Sequence, residues 1–190
     1  MRYTKYLFTP HDLARFIYFA DFTVKRENEV LRDLFDNHNA SILSPFRDDF
    51  LLFHKAVTCL VNEYSLEYDE LDEAQSIMRE INGTSTEQTS DHDYYGAYFK
   101  LIKLRLLYTV DYCKIKLSTL LSNFGYQRRS AQLVTRIKRA MNKLGIVSQI
   151  RGYELCNIGD VDIHTMIMFR LAAPGEQVFD DEVDDDEVTS

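Results

Sequence analysis

Between Tyr98 and Arg151 lie twelve lysines and arginines, at positions 100, 103, 105, 114, 116, 128, 129, 136, 138, 139, 143 and 151. Asp111 is the only acid in that stretch, so its formal charge is +11. Subtracting this from the chain's net charge of −8 leaves −19 for the rest. A solvated protein surface ordinarily mixes both signs. A long run of one sign is what a polyanion requires, because phosphates are neutralised by Lys and Arg while base edges are read by Arg, Lys, Asn and Gln. The bulk pI near 5.1 conceals this asymmetry.

Other residue types offer less. Arg47-Asp48 is followed by His54, about two turns later on a predicted helix. That pair loosely resembles the Arg-polar…His motif of HEPN-type ribonucleases, and the resemblance implies a helical nuclease as an alternative function. The acids Asp69, Glu70, Asp72 and Glu73 are read as a solvated helix face. His11, His38, His92 and His164 lack metal-ligand spacing. There is no phosphate-binding glycine loop, no G-x-S-x-G and no H-E-x-x-H. No enzymatic activity, cofactor or metal is therefore expected. Cys59, Cys113 and Cys156 are odd in number and far apart, which predicts buried free thiols in a reducing compartment.

The elements that must position these residues divide the chain. Residues 1–81 predict a helical domain. Thr9-Pro10-His11-Asp12 is a helix start, with Thr9 as N-cap and Pro10 at the first helical position. Leu13, Phe16, Ile17 and Ala20 follow at helical spacing. A second helix is predicted over Lys25–Asn37, facing inward through Val30, Leu31, Leu34 and Phe35. Ser44-Pro45 repeats the start signal ahead of a helix from Phe46 to Tyr64, and a fourth, acidic helix is predicted from Tyr68 to Ile81. Residues 82–93, NGTSTEQTSDHD, have no large apolar side chain and predict a linker or mobile loop. Residues 94–175 predict a second domain. Glu176–Ser190 carries eight acids in fifteen residues and predicts a disordered tail. That tail is read as solubilising, with folding back over the basic surface as the alternative.

The second domain opens with a predicted helix at Tyr98–Tyr108. Cys113–Leu117 alternates as a strand does. Ser118 is the expected N-cap of a short helix, Thr119–Phe124, ended by Gly125. Ser130 caps a longer helix, Ala131–Leu144, whose Leu133, Val134, Ile137, Ala140, Met141 and Leu144 form one apolar stripe. Gly145 ends it. Ile146–Ile150 and Tyr153–Ile158 predict a hairpin turning at Arg151-Gly152, and Val161–Leu171 a short final element.

Strand, short helix, turn, long helix and hairpin resemble the winged helix-turn-helix superfamily over roughly 60 residues, chiefly in SNFGYQRRSAQLVTRIKRAMNKLGIV. The fold class is accordingly mainly α: a helical N-terminal domain followed by a winged-helix domain with a small β-hairpin. The resemblance implies a DNA-facing surface. Gln132, Thr135, Arg136, Arg139, Asn142 and Lys143 lie on the polar side of the long helix, where they would meet base edges in the major groove. Arg128 and Arg129 precede that helix and suit phosphates, and Lys114, Lys116 and Arg151 would extend the contact. The expected function is non-catalytic DNA binding of a regulatory or nucleoprotein-assembly kind. Its partners are double-stranded DNA and a second copy or other protein held through the N-terminal helices. A winged-helix assembly subunit that never touches nucleic acid is the first alternative. The absence of a long apolar run predicts a cytoplasmic protein without a membrane span.

Overall fold

A computed structural model describes residues 7–43, 46–68, 91–151, 155–174 and 176. The described residues form six α-helices and one small antiparallel sheet: α1 (Pro10–Ala20), α2 (Val24–Asn37), α3 (Phe50–Tyr68), α4 (Asp91–Tyr108), β1 (Cys113–Lys116), α5 (Leu117–Asn123), α6 (Ala131–Leu144), β2 (Ile146–Gln149) and β3 (Met166–Leu171). The chain is mainly α, as its pattern predicts. The fourth acidic helix, with Asp69, Glu70, Asp72 and Glu73, falls outside the described residues, as do residues 82–90 of the expected linker and all of the acidic tail but Glu176.

The first helices begin where their caps require. Thr9 and Asp12 form a reciprocal capping box at α1, and Pro10 occupies the first helical position. Thr23 caps α2. The start of α3 differs from expectation: the helix begins at Phe50 rather than Phe46. The Asp49 side chain accepts from the Leu52 N–H at 3.1 Å, which makes Asp49 the cap. Helices α1–α3 close on a core built from Leu13, Phe16, Ile17, Val30, Leu31, Leu34, Phe53 and Val57.

Helix α4 belongs to two cores at once. Leu104 lies in the N-terminal core, with Leu101 and Tyr108 packed against it. Tyr95, Phe99, Ile102 and Leu106 enter the C-terminal core instead. Two apolar stripes on one helix leave little polar face, which is why the sequence pattern admits either helix or strand there. Polar ties reinforce the first contact. The Lys100 amine reaches the Asp12 carboxylate at 2.9 Å, both side chains only 12% exposed. The Tyr108 hydroxyl donates to Asp33 at 2.7 Å. Burial, and then this bond to a carboxylate, push the Tyr108 hydroxyl pKa well up, and the same hydroxyl holds Asp33 below its usual value.

In the C-terminal core, Phe124 at the end of α5 meets Tyr95 and Tyr98, and Phe99 stands edge-on to Phe169 of β3 at 5.6 Å. The sheet order is β1-β3-β2, with β3 antiparallel to both neighbours. The returning strand is thus Met166–Leu171, not Tyr153–Ile158. From the latter segment the described residues contribute one bridge, Leu155 to Gln149, and a Cys156 N–H bond to the Ser148 carbonyl.

The long connection between β2 and β3 is folded onto α5. The N–H groups of Leu117 and Ser118, unsatisfied at any helix start, donate to the carbonyls of Thr165 and Ile163 at 3.0 and 2.7 Å. Ser118 is therefore no N-cap. Lys116 holds that position without a side-chain bond, because a neighbouring backbone supplies the acceptors.

Candidate nucleic-acid interface

Helix α6 is built to present one polar face. Ser130 accepts from the Leu133 N–H at 3.2 Å, and Gly145 closes the helix in the left-handed conformation (φ 66°). Its six predicted apolar residues are all buried. The opposite face carries exposed Gln132, Thr135 and Arg139, and no residue of α6 is acidic. The Thr135 hydroxyl donates back to the Ala131 carbonyl at 3.1 Å. Arg128 is exposed in the turn just before the helix. Cationic and amide side chains on one helical face, with an arginine near the positive N-terminal end, can grip phosphates and donate to purine edges.

The remaining predicted residues separate into other roles. Arg129 is half-buried, and its guanidinium donates to the carbonyls of Ile158 and Val161, at 2.9 and 2.5 Å. It fastens the long connection to the turn before α6. Arg136 is half-buried at the margin of the polar face, within hydrogen-bonding reach of the Tyr95 hydroxyl. Burial, and then the adjoining Tyr126 hydroxyl, push the Tyr95 pKa up to about 12, so Arg136 meets a neutral phenol. Asn142 and Lys143 are half-buried near the end of α6, and Arg151 is exposed where β2 runs into the connection.

Lys114 and Lys116 lie elsewhere. Cys113 and Ile115 of β1 pack on the C-terminal core, so strand alternation turns the two lysines to the outer face of the sheet. Because α6 and the sheet face the same core, their outward surfaces diverge. Lys114 sits 4.9 Å above the ring of exposed Tyr112. Of the other cations in the stretch, Lys100 is spent on Asp12.

The nuclease alternative loses its premise. Arg47 precedes α3 instead of lying on it, and its guanidinium donates to the carbonyls of Ile42 and Ala40. His54 lies within α3 and meets the Asn28 side chain at 2.6 Å. Each residue is engaged in a different local structure.

Among the described residues no group of three or more His, Cys, Asp or Glu side chains is disposed to hold a metal, and no helix is long and apolar enough to cross a membrane. All three cysteines are free thiols. Cys156 is buried and Cys113 half-buried, but Cys59 is exposed on α3, against expectation. Burial pushes the thiols of Cys113 and Cys156 up, which keeps them protonated and unreactive. No protein-family model, curated protein or solved structure matches this chain.

Proposed function

We propose that residues 91–171 form a winged-helix unit that binds double-stranded DNA without catalysing a reaction, with α6 as the recognition helix. The observation that carries this is the exposed, acid-free face of Gln132, Thr135 and Arg139, led by Arg128. Two further observations support it. The order helix, strand, helix, helix, strand, strand, with the last strand between the other two, is compatible with the order that a winged helix has. The turn between α5 and α6 runs from Phe124 to Ser130 and contains a left-handed Gly125 (φ 78°), a residue that helix-turn-helix turns often carry, although this turn is longer than their usual three or four residues.

In this mechanism α6 enters the major groove by its N-terminal half. Arg139 and Gln132 supply bidentate donors to base edges, Thr135 a methyl and hydroxyl, and Arg128 a phosphate contact. Arg136 positions the helix against α4 rather than reading bases. Arg151, at the start of the β2–β3 connection, adds a phosphate contact from the wing.

A protein partner at the N-terminal helices has its own observation. Val24 and Leu51 are 75% and 77% exposed, and Leu52 45%. A second copy held there would suit a two-fold DNA site and a regulatory or assembly role.

The test is fluorescence anisotropy with a random duplex at low salt, comparing wild type with Arg128→Ala/Arg139→Ala and Lys114→Ala/Lys116→Ala. The first pair should weaken binding at least tenfold, at roughly 1.4 kcal/mol per decade, and the second by much less. Absence of binding by the wild-type chain would leave the protein-assembly function in front.

A further inference from the structure

The outer side of α2 carries its charges in order. Val30, Leu31 and Leu34 are buried, whereas Lys25, Glu29, Arg32 and Asp36 are exposed. Steps of four, three and four residues set these four on one stripe, on the side of the helix away from the buried residues. The signs along it alternate from plus at Lys25 to minus at Asp36. Laid parallel and in register against a copy of itself, the stripe opposes every charge to its own sign. Laid antiparallel, it opposes Lys25 to the partner's Asp36 and Glu29 to the partner's Arg32. Both pairs share one midpoint, between Val30 and Leu31. Within the chain, Glu29 meets Arg26 at 3.2 Å and Arg32 lies over the Phe50 ring at 3.5 Å. Both contacts leave the charged groups at the surface.

Helix α3 sets an apolar residue at the same level. The Phe50 ring stands 5.3 Å from that of Phe35, and His54 meets the Asn28 side chain at 2.6 Å. Leu51 comes between these two contacts in α3 and therefore stands beside the middle of α2. It is 77% exposed. An axis that crosses α2 at the midpoint of the charge stripe and continues toward α3 passes close to Leu51. The rotation that matches the charges thus also brings Leu51 against its counterpart. Charge order on one helix and the level of an exposed leucine on the next call for the same two-fold axis.

We propose that two copies of this chain associate about that axis, with α2 antiparallel to the partner's α2 and the two Leu51 side chains packed together. The proposal deepens the second-copy reading of the N-terminal helices, on which it rests, and needs no DNA. Exposed ion pairs add little affinity. Burial of Leu51 supplies the adhesion, and the order of charges selects the antiparallel orientation over the parallel one. The same surface serves both copies, so the assembly closes at two.

Sedimentation velocity of the full chain at low salt, without DNA, tests it. Wild type should shift from monomer to dimer as its concentration rises. Leu51→Asp, Lys25→Glu/Arg32→Glu and Glu29→Lys/Asp36→Lys should each self-associate at least roughly tenfold more weakly. All the substituted side chains are exposed, and far-UV circular dichroism verifies that each variant is folded. Mixing the two charge variants, whose stripes become wholly acidic and wholly basic, should restore the dimer. Dimerisation unchanged in all three variants would place the second copy elsewhere and overturn this arrangement alone. Charge variants that stay apart when mixed would overturn it as well. A wild type that remains monomeric at every concentration would overturn it together with the second-copy reading.

Discussion

The two halves of the molecule use the same charged residues in opposite ways. In the N-terminal half, several charged groups are tied into the fold, while Lys25, Arg26, Glu29, Arg32 and Asp36 of α2 stay exposed. Asp12 serves the α1 cap and Lys100 together, Asp33 accepts from Tyr108, and Arg47 is bound to two backbone carbonyls. In the C-terminal half, Arg128, Gln132, Thr135 and Arg139 are held at the surface by elements whose other sides are fully buried. Adjacent residues show the contrast most clearly. Arg128 is exposed, while Arg129 is drawn in to tie the β2–β3 connection. Composition alone gives both the same weight. For these two neighbours, the backbone acceptors within reach of Arg129 separate a structural cation from one exposed to solvent.

The largest effects should appear at α4, where the halves meet. Phe99→Ala removes a fully buried ring from the C-terminal core, and Leu104→Ala a fully buried side chain from the N-terminal core. Each should cost about 2–5 kcal/mol. Because one helix carries both residues, urea unfolding followed by circular dichroism should show a single transition shifted by either change. Two transitions, each answering to only one substitution, would divide the halves more sharply than their shared helix allows.

Lys100→Met comes next. It leaves the Asp12 carboxylate partly buried without its cation and should destabilise by about 3 kcal/mol. A loss under about 0.5 kcal/mol in the same unfolding assay would show that the pair is solvated like a surface one.

The two neighbouring arginines sharpen the comparison further. Arg129→Met forfeits charged donors to the Ile158 and Val161 carbonyls and should cost about 2 kcal/mol. Arg128→Met should stay within about 0.5 kcal/mol. Equal effects on the melting temperature would erase the distinction between them.

The smallest effect is the pH response of the C-terminal turn. Its two bonds from Arg170, and then the Ala173 N–H, hold the Glu176 carboxyl down to about 2, from an ordinary 4.5. A depressed carboxylate contributes stability that is complete above its unfolded value and is lost as pH falls through the folded one. The turn should therefore remain closed through mild acid and open between pH 4.5 and about 2. Chemical shifts of the Glu176 side chain across that range report it, and titration near 4.5 would mean the pair does not persist in solution.

Much of the local structure is legible in the sequence because short-range chemistry decides it. Thr9-Pro10, Ser130 and Gly145 mark helix ends by what their own atoms can and cannot do, and the apolar stripe of α6 has one period and one destination. What is hidden depends on distant partners. Apolar on two sides, α4 gives no amphipathic signal from which to place its first turn. Tyr153–Ile158 alternates as convincingly as a strand, whereas the real β3, MIMFRL, is almost continuously apolar. Ser118 has the right side chain for a cap, but the Ile163 and Thr165 carbonyls reach the helix start first. The candidate site is legible in residue type and, for Gln132, Thr135 and Arg139, in exposure. The diversion of Arg129 and Arg136 and the separate surface of Lys114 and Lys116 follow from tertiary packing that no local pattern encodes.

The central claim, that the α6 face binds DNA through cations held free of the fold, is tested most directly by the salt dependence of duplex binding. Each phosphate contact contributes about 0.9 to the slope of log affinity against log salt. Wild type should lose affinity steeply as salt rises, and Arg128→Ala/Arg139→Ala should bind more weakly with a slope flatter by roughly 0.9, the share of the Arg128 phosphate contact. Undetectable binding of the wild-type chain at low salt, or identical affinities and slopes for the two proteins, would contradict it.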